Sequence, residues 1–260
     1  MKAIFIADAH LKHAKDRTHG ALMLFLGRLK ADGQEGGRRR DADGREDTDA
    51  IFVTDLFLVG DMFDFWFSRG ERIYPAFREV VDRLKYLKEQ GVVIHLCEGN
   101  HDFFLREYFS EHLGMNVYED WTVIERNGRR IMVGHGDLVD QTNTRYLRLR
   151  KFLRSRLVFR MQRLLPLNML WTIARWSSSV SKEVMNGAEE RIAEAMRLFS
   201  REKFHEGIDA VILGHCHRPQ LLDQVVGGKR KVLCTLGDWV RHDAYLYFNE
   251  GEFFLRTFAK

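Results

Sequence analysis

An α/β fold, built from short buried strands that deliver polar residues from their carboxyl ends, is predicted by three observations. The apolar run Leu56 to Val59 is followed at once by Gly60-Asp61-Met62-Phe63-Asp64-Phe65-Trp66. The same order of strand, glycine and ligand-type residue recurs at Gly99-Asn100-His101-Asp102, Gly134-His135-Gly136-Asp137 and Gly214-His215-Cys216-His217. Helical periodicity separates the early strands, as parallel pairing requires. Open α/β sheets take their ligands at the carboxyl ends of strands. The four stretches are therefore expected to converge on one metal centre with Asp61 in the middle.

Taken in order, Lys2 to Ala7 is an apolar strand ending in Asp8-Ala9-His10, and an extended backbone would turn residues 8 and 10 to the same side. Thr18 to Leu29, with Leu22, Leu26 and Leu29 at helical spacing, reads as a crossover helix. Ala31 to Asp49 is rich in glycine and mixed charge, the composition of a solvated loop. Ile73, Phe77, Val80, Val81, Leu84 and Leu87 mark an amphipathic helix ending at Gly91, and Val92 to Cys97 is the next strand. Asn127-Gly128 between Thr122–Glu125 and Arg130–Val133 signals a type I′ hairpin whose second strand delivers His135. Ala210 to Leu213 delivers His215 and His217. Two further hairpins, around Gly227-Gly228 and Glu250-Gly251, close the sheets with antiparallel strands.

Between His135 and His215 the composition changes. Gln141 to Lys182 contains no Asp or Glu, while Arg145, Arg148, Arg150, Lys151, Arg154, Arg156, Arg160 and Arg163 alternate with Leu147, Leu149, Phe152, Leu153, Leu157, Val158 and Phe159. Pro166 breaks this run, Leu167 to Trp176 follows, and a further helix is expected from about Ser181 to Lys203. Residues 141–204 read as a helical cap inserted into a core of residues 1–140 and 205–260. A face both basic and amphipathic suits an anionic amphiphile or an anionic membrane surface. Nucleic acid is not expected, and no obligate protein partner is identifiable.

With 260 residues, 45% of them hydrophobic, and a formal net charge of +4, the chain can bury a full core. Cys97, Cys216 and Cys234 are too few and too irregular for a disulfide framework or a thiolate zinc site, which fits a reducing compartment. Asp8 and His10 interrupt the first apolar run well short of a signal-peptide core, and no run approaches the roughly 18 residues of a spanning helix. A cytoplasmic protein, able to attach peripherally to a membrane, is expected.

Together, Asp8-x-His10, Gly60-Asp61-x-x-Asp64, Gly99-Asn100-His101-Asp102, Gly134-His135 and Gly214-His215-x-His217 resemble the calcineurin-like metallophosphoesterase superfamily, from residue 8 to residue 217. The resemblance implies a two-sheet sandwich flanked by helices. It implies two divalent metals, with Asp8, His10 and His217 on one, Asn100, His135 and His215 on the other, and Asp61 bridging. Nitrogen and oxygen ligands favour manganese, with iron or zinc as alternatives. The implied chemistry is in-line attack on phosphorus by metal-bound hydroxide, with His101 as proton donor or phosphate-oxygen stabiliser and Asp64 orienting it.

Phe5-Ile6-Ala7-Asp8-Ala9-His10-Leu11, Gly99 to Phe103, His135-Gly136-Asp137, Tyr146 to Arg150 and Ser181-Lys182-Glu183 look like the UDP-2,3-diacylglucosamine pyrophosphohydrolases of lipid A synthesis. Such enzymes cleave at the α-phosphate to UMP and 2,3-diacylglucosamine 1-phosphate, at the inner-membrane surface. Asn100, His101, Asn143, Ser181, Lys182 and His215 are the implied substrate contacts. The best-known branch carries Arg where this chain has His101 and Glu where it has Asp64, so the chain is similar to a second, His-containing branch. Phosphoesterase action on a nucleotide or a phosphoprotein, and a non-catalytic binding module, are the alternatives.

Overall fold

The computed structural model describes residues 1–33, 49–181 and 189–259. Most of the glycine-rich loop expected over residues 31–49, and the candidate contact Lys182, lie outside them.

Two sheets form the centre. The first contains β1 (Lys2–Ile6), β4 (Asp55–Val59), β5 (Val93–Cys97), β6 (Asn116–Tyr118), β12 (Ala244–Asn249) and β13 (Glu252–Thr257), in the order β13-β12-β1-β4-β5-β6. The second contains β7 (Trp121–Arg126), β8 (Arg129–Gly134), β9 (Ala210–Leu213), β10 (Gln220–Val226) and β11 (Lys229–Thr235), in the order β10-β11-β9-β8-β7. Two short strands, β2 (Leu29–Ala31) and β3 (Ile51–Val53), pair apart from both sheets.

Alternation along the strands explains the layering. Ala3, Phe5, Phe57 and Val59 point between the sheets, where they meet Ile131, Val133, Ala210, Ile212, Val232 and Cys234. Ile4, Ile6, Leu56 and Leu58 point the other way, onto Leu22, Phe25 and Leu26 of α1 (Arg17–Arg28) and Val80, Val81 and Leu84 of α2 (Arg78–Glu89). Burial of both faces is why β1 and β4 read as continuous apolar runs. The pairs β1–β4, β4–β5, β8–β9 and β9–β11 are parallel, so their carboxyl ends gather at one edge of the sandwich.

Among the described residues, four helices lie between β8 and β9: α3 (Thr144–Leu153), α4 (Arg156–Leu164), α5 (Leu167–Ser181) and α6 (Glu189–His205). Two boundaries differ from the sequence reading. The basic run is broken at Arg154-Ser155, because the Ser155 hydroxyl accepts from Val158 N and starts α4 as an N-cap. The backbone of α5 runs on past Trp176, the end expected from the sequence, to Ser181. Helix α6 packs Ile192, Met196 and Phe204 on Met132, Val211, Leu213 and Leu233. It flanks the second sheet. Trp171 of α5 is also internal, its indole N–H donating to Phe67 O at 3.3 Å. Among the described residues, no helix is long and apolar enough to cross a membrane.

Candidate metal centre

The loops after β1, β4, β5, β8 and β9 carry the predicted ligand residues. Asp8, His10, Asp61, His215 and His217 all have positive φ, between 44° and 64°. This corrects the expectation that residues 8 and 10 share a side through extended backbone, since β1 already ends at Ile6. The chain turns left-handed at each position, and hydrogen bonds from Asp8 N to Gly60 O (3.1 Å) and His10 N to Asp61 O (2.9 Å) lay two ligand loops side by side. Asp and His tolerate that conformation better than most side chains, and such strain concentrates at functional sites.

The glycines supply space. A Cβ on Gly60 would lie 2.5 Å from His135 Nδ1, and one on Gly99 would collide with the Asp61 carboxylate. Asp102 ties the loops further, its carboxylate accepting from Asp61 N (2.9 Å), Gly99 N (3.0 Å) and Phe63 N (3.1 Å).

Asp61 sits at the middle of the cluster. Its Oδ2 is 3.9 Å from His10 Nε2 and 3.4 Å from His135 Nε2, so one oxygen faces both halves of the site. On one side, His10 Nε2 and His217 Nε2 are 3.3 Å apart, and Asp8 Oδ1 lies 3.3 Å from His217 Nε2 and 3.8 Å from His10 Nε2. On the other, Asn100 Oδ1 is 3.1 Å from His135 Nε2, and the His215 ring meets that of His135 edge-on with centroids 5.1 Å apart. The sets Asp8/His10/His217, Asp8/Asp61/His135 and His10/Asp61/His101 each bring their ligand atoms within 4.8 Å of one another.

Three of the rings have an oxygen behind them. His135 Nδ1 faces Val59 O at 3.1 Å, His217 Nδ1 faces Asp238 Oδ2 at 3.5 Å, and His10 Nδ1 faces Asp64 Oδ1 at 4.0 Å. At His135 the acceptor lies within hydrogen-bond distance of Nδ1 and fixes the tautomer that leaves the Nε2 lone pair for a cation. Asp8 Oδ1 is buried without a hydrogen-bond partner, an orphaned carboxylate oxygen aimed at these imidazoles. A divalent ion accounts for such convergence, and the donors are all nitrogen and oxygen. Cys216 Sγ lies 3.6 Å from Arg218 O and is not among the converging atoms.

One assignment changes. Asp64 meets His101 only through its backbone carbonyl, 3.3 Å from Nδ1, whereas its carboxylate faces Lys12 Nζ at 3.1 Å and His10. The expectation that the Asp64 carboxylate orients His101 is therefore corrected: the carboxylate stands behind a ligand ring. Asn143 caps α3, its Oδ1 accepting from Tyr146 N at 3.2 Å. Ser181 is the last residue of α5. Asp238 was not singled out from the sequence, although Leu236-Gly237-Asp238 after β11 repeats the order of strand, glycine and carboxylate.

Electrostatics follow from this crowding. Burial opposes charge on His135, but the adjoining Asp61 carboxylate outweighs it and raises the imidazole to about 10. Burial likewise opposes charge on His217, and Asp238 and Asp8 together raise it to about 10. Burial dominates at His10 and His215, lowering both to about 4. Burial would raise Asp61, yet His135 and His101 hold it well below the usual carboxylate range. Burial, reinforced by Asp61, pushes Asp102 up to about 8.

The calcineurin-like phosphoesterase family profile matches residues 1–219. The chain belongs to that family. A UDP-2,3-diacylglucosamine hydrolase of Pseudomonas entomophila (strain L48) is 29% identical over 98% of each chain. Its namesake in Yersinia pestis bv. Antiqua (strain Angola) is 28% identical, over 85% of this chain and 84% of the other. A solved structure of an archaeal phosphodiesterase aligns at 12% identity and a TM-score of 0.44, covering 99% of this chain and 100% of that one. As a calcineurin-like phosphoesterase, the protein is a metal-dependent hydrolase, and its Asp/His cluster is suited to divalent ions.

Proposed function

We propose that this phosphoesterase hydrolyses UDP-2,3-diacylglucosamine at the α-phosphate, giving UMP and 2,3-diacylglucosamine 1-phosphate at the inner face of a membrane. One observation carries the reading: a hydrolytic cluster and helices with an exposed face both apolar and basic occur in the same chain. Leu149, Phe152, Leu157, Met161 and Leu164 are exposed beside the exposed Arg145, Arg148, Arg156 and Arg160. Such a face suits an anionic diacyl substrate and anionic headgroups. The similar proteins named UDP-2,3-diacylglucosamine hydrolase support the same substrate. In this reading α3–α5 form the cap, and α6 stays with the core.

Asp8, His10 and His217 would hold one ion, Asn100, His135 and His215 the other, and Asp61 would contribute to both. When bound, two divalent ions, with manganese the first candidate, would activate a water and neutralise phosphate charge. His101 is held by its Nδ1 against Asp64 O, which leaves Nε2 to stabilise a phosphate oxygen or give a proton to the departing one. Water adds to the α-phosphorus, the bond to the bridging oxygen breaks, and the sugar 1-phosphate leaves. Asn143, Ser181 and Lys182 are also proposed as substrate contacts.

The test is purified protein incubated with UDP-2,3-diacylglucosamine and manganese, with and without chelator, and scored for UMP. Chelator-sensitive UMP release is expected. Turnover of a generic aryl phosphodiester with none of the diacyl sugar would favour another substrate, the reading that His101 in place of arginine supports.

A further inference from the structure

None of the residues of α3 is buried, so apolar burial does not hold this helix against the core. Polar contacts do, and they fall on its inward side. Tyr146 and Arg150 stand four residues apart on one helical face, and Arg154, four further on, caps the C-terminus of α3. The Tyr146 hydroxyl donates to Asp137 Oδ2 at 2.7 Å, and Arg150 Nε donates to the same oxygen at 2.6 Å. Arg150 Nη2 continues to Asp120 Oδ1 at 2.7 Å. One turn on, Arg154 donates to Gly99 O at 2.7 Å, Glu98 Oε2 at 2.7 Å and Glu119 O at 3.1 Å. Glu98 closes its own loop by accepting from Leu105 N at 2.8 Å.

The partners are informative. Asp137 is two residues beyond His135, and Gly99 directly precedes Asn100 and His101. Asp137 and Glu98 are 6% and 3% exposed, so each is a buried carboxylate that depends on its arginine. Arg150 and Arg154, read from the sequence as available for phosphate or lipid, are occupied by these bonds.

We propose that this face of α3 is a brace that sets the separation of the two ligand loops, with Arg154 the positioning residue for Asn100 and His101 and Arg150 that for His135. Arg154 grips a backbone carbonyl and a carboxylate with one planar fork, a pairing that lysine cannot copy. The brace joins the helices proposed to meet lipid to the loops proposed to carry out hydrolysis. It rests on the phosphoesterase reading but not on the choice of diacyl sugar.

The experiment uses the full chain with manganese, bis(p-nitrophenyl) phosphate as a small soluble substrate, and calorimetric titration of manganese. Arg154→Gln should lower kcat by about 10–100-fold, the scale of a misplaced catalytic group, with KM unchanged within about twofold. It should also weaken one class of manganese site by about tenfold. The double variant Arg154→Met/Glu98→Gln removes the unpaired buried charge, so it should recover thermal stability while kcat stays low. Recovery of kcat together with stability would overturn the proposal, leaving Arg154 a packing residue. A loss confined to KM would overturn it in favour of substrate contact. If the chain hydrolyses neither this diester nor the diacyl sugar, unchanged manganese affinity in Arg154→Gln would still overturn it. Absence of UMP alone would count only against the substrate assignment.

Discussion

Asp238 stands behind His217, its Oδ2 3.5 Å from the ring Nδ1 and wholly buried. The same oxygen faces His242 Nδ1 and Arg241 Nε, each at 3.5 Å, and Oδ1 accepts from Arg241 N at 2.6 Å. A carboxylate so placed keeps the ring oriented and raises its basicity as a ligand. Asp238→Asn should therefore weaken metal binding by about 10–100-fold while the fold is retained. Calorimetric titration checks this, and excess metal should restore turnover.

His101 has a different dependence. Its backbone N–H donates to Asp61 Oδ1 at 2.8 Å, and its ring meets His10 edge-on with centroids 4.9 Å apart. If the ring serves the phosphate, His101→Ala should leave metal content unchanged and cut kcat by about 10²–10⁴-fold. Metal analysis beside steady-state kinetics separates that result from ligand loss.

The pH dependence of metal loading follows from the raised histidines. His135 and His217 move from an ordinary 6.5 to about 10 in the metal-free fold, so at neutral pH both rings carry a proton there. Their contribution to metal-free stability is complete below about pH 6.5 and is lost as the pH rises through about 10. A metal must displace those protons, so affinity should rise with pH across this window. Loading at pH 7.5 should release about two protons, read by calorimetry in buffers of different ionisation enthalpy.

Gly99→Ala tests the close approach of the loops. The added methyl has no room beside Asp61, and backbone and carboxylate must both shift. Thermal or urea unfolding should show a loss of about 1–3 kcal/mol, with reduced metal content.

Much of the centre was legible because its signals are local. A buried strand ending in glycine and a ligand-type residue identifies both an edge of the sheet and the group exposed there. What the sequence withheld is three-dimensional. The left-handed turns at Asp8 and His10 depend on hydrogen bonds from another loop, and Asp64 chooses between His10 and His101 only once the rings are placed. Arg150 and Arg154 have the composition of a solvated face, yet their partners lie 13 and 56 residues away in sequence. Asp238 was readable in principle, since Gly237-Asp238 follows a strand as Gly60-Asp61 does, but Arg241 stands three residues beyond it where Asp64 stands three beyond Asp61.

Asp61 remains the residue on which the account turns, one carboxylate oxygen within 3.9 Å of His10 Nε2 and 3.4 Å of His135 Nε2. The most direct measurement is metal stoichiometry, by dialysis against manganese and elemental analysis of folded wild-type protein and Asp61→Ala. The wild type should bind about two ions per chain and the variant fewer than about one, as expected of a ligand shared by a two-metal site. Retention of the full wild-type stoichiometry by Asp61→Ala would contradict it.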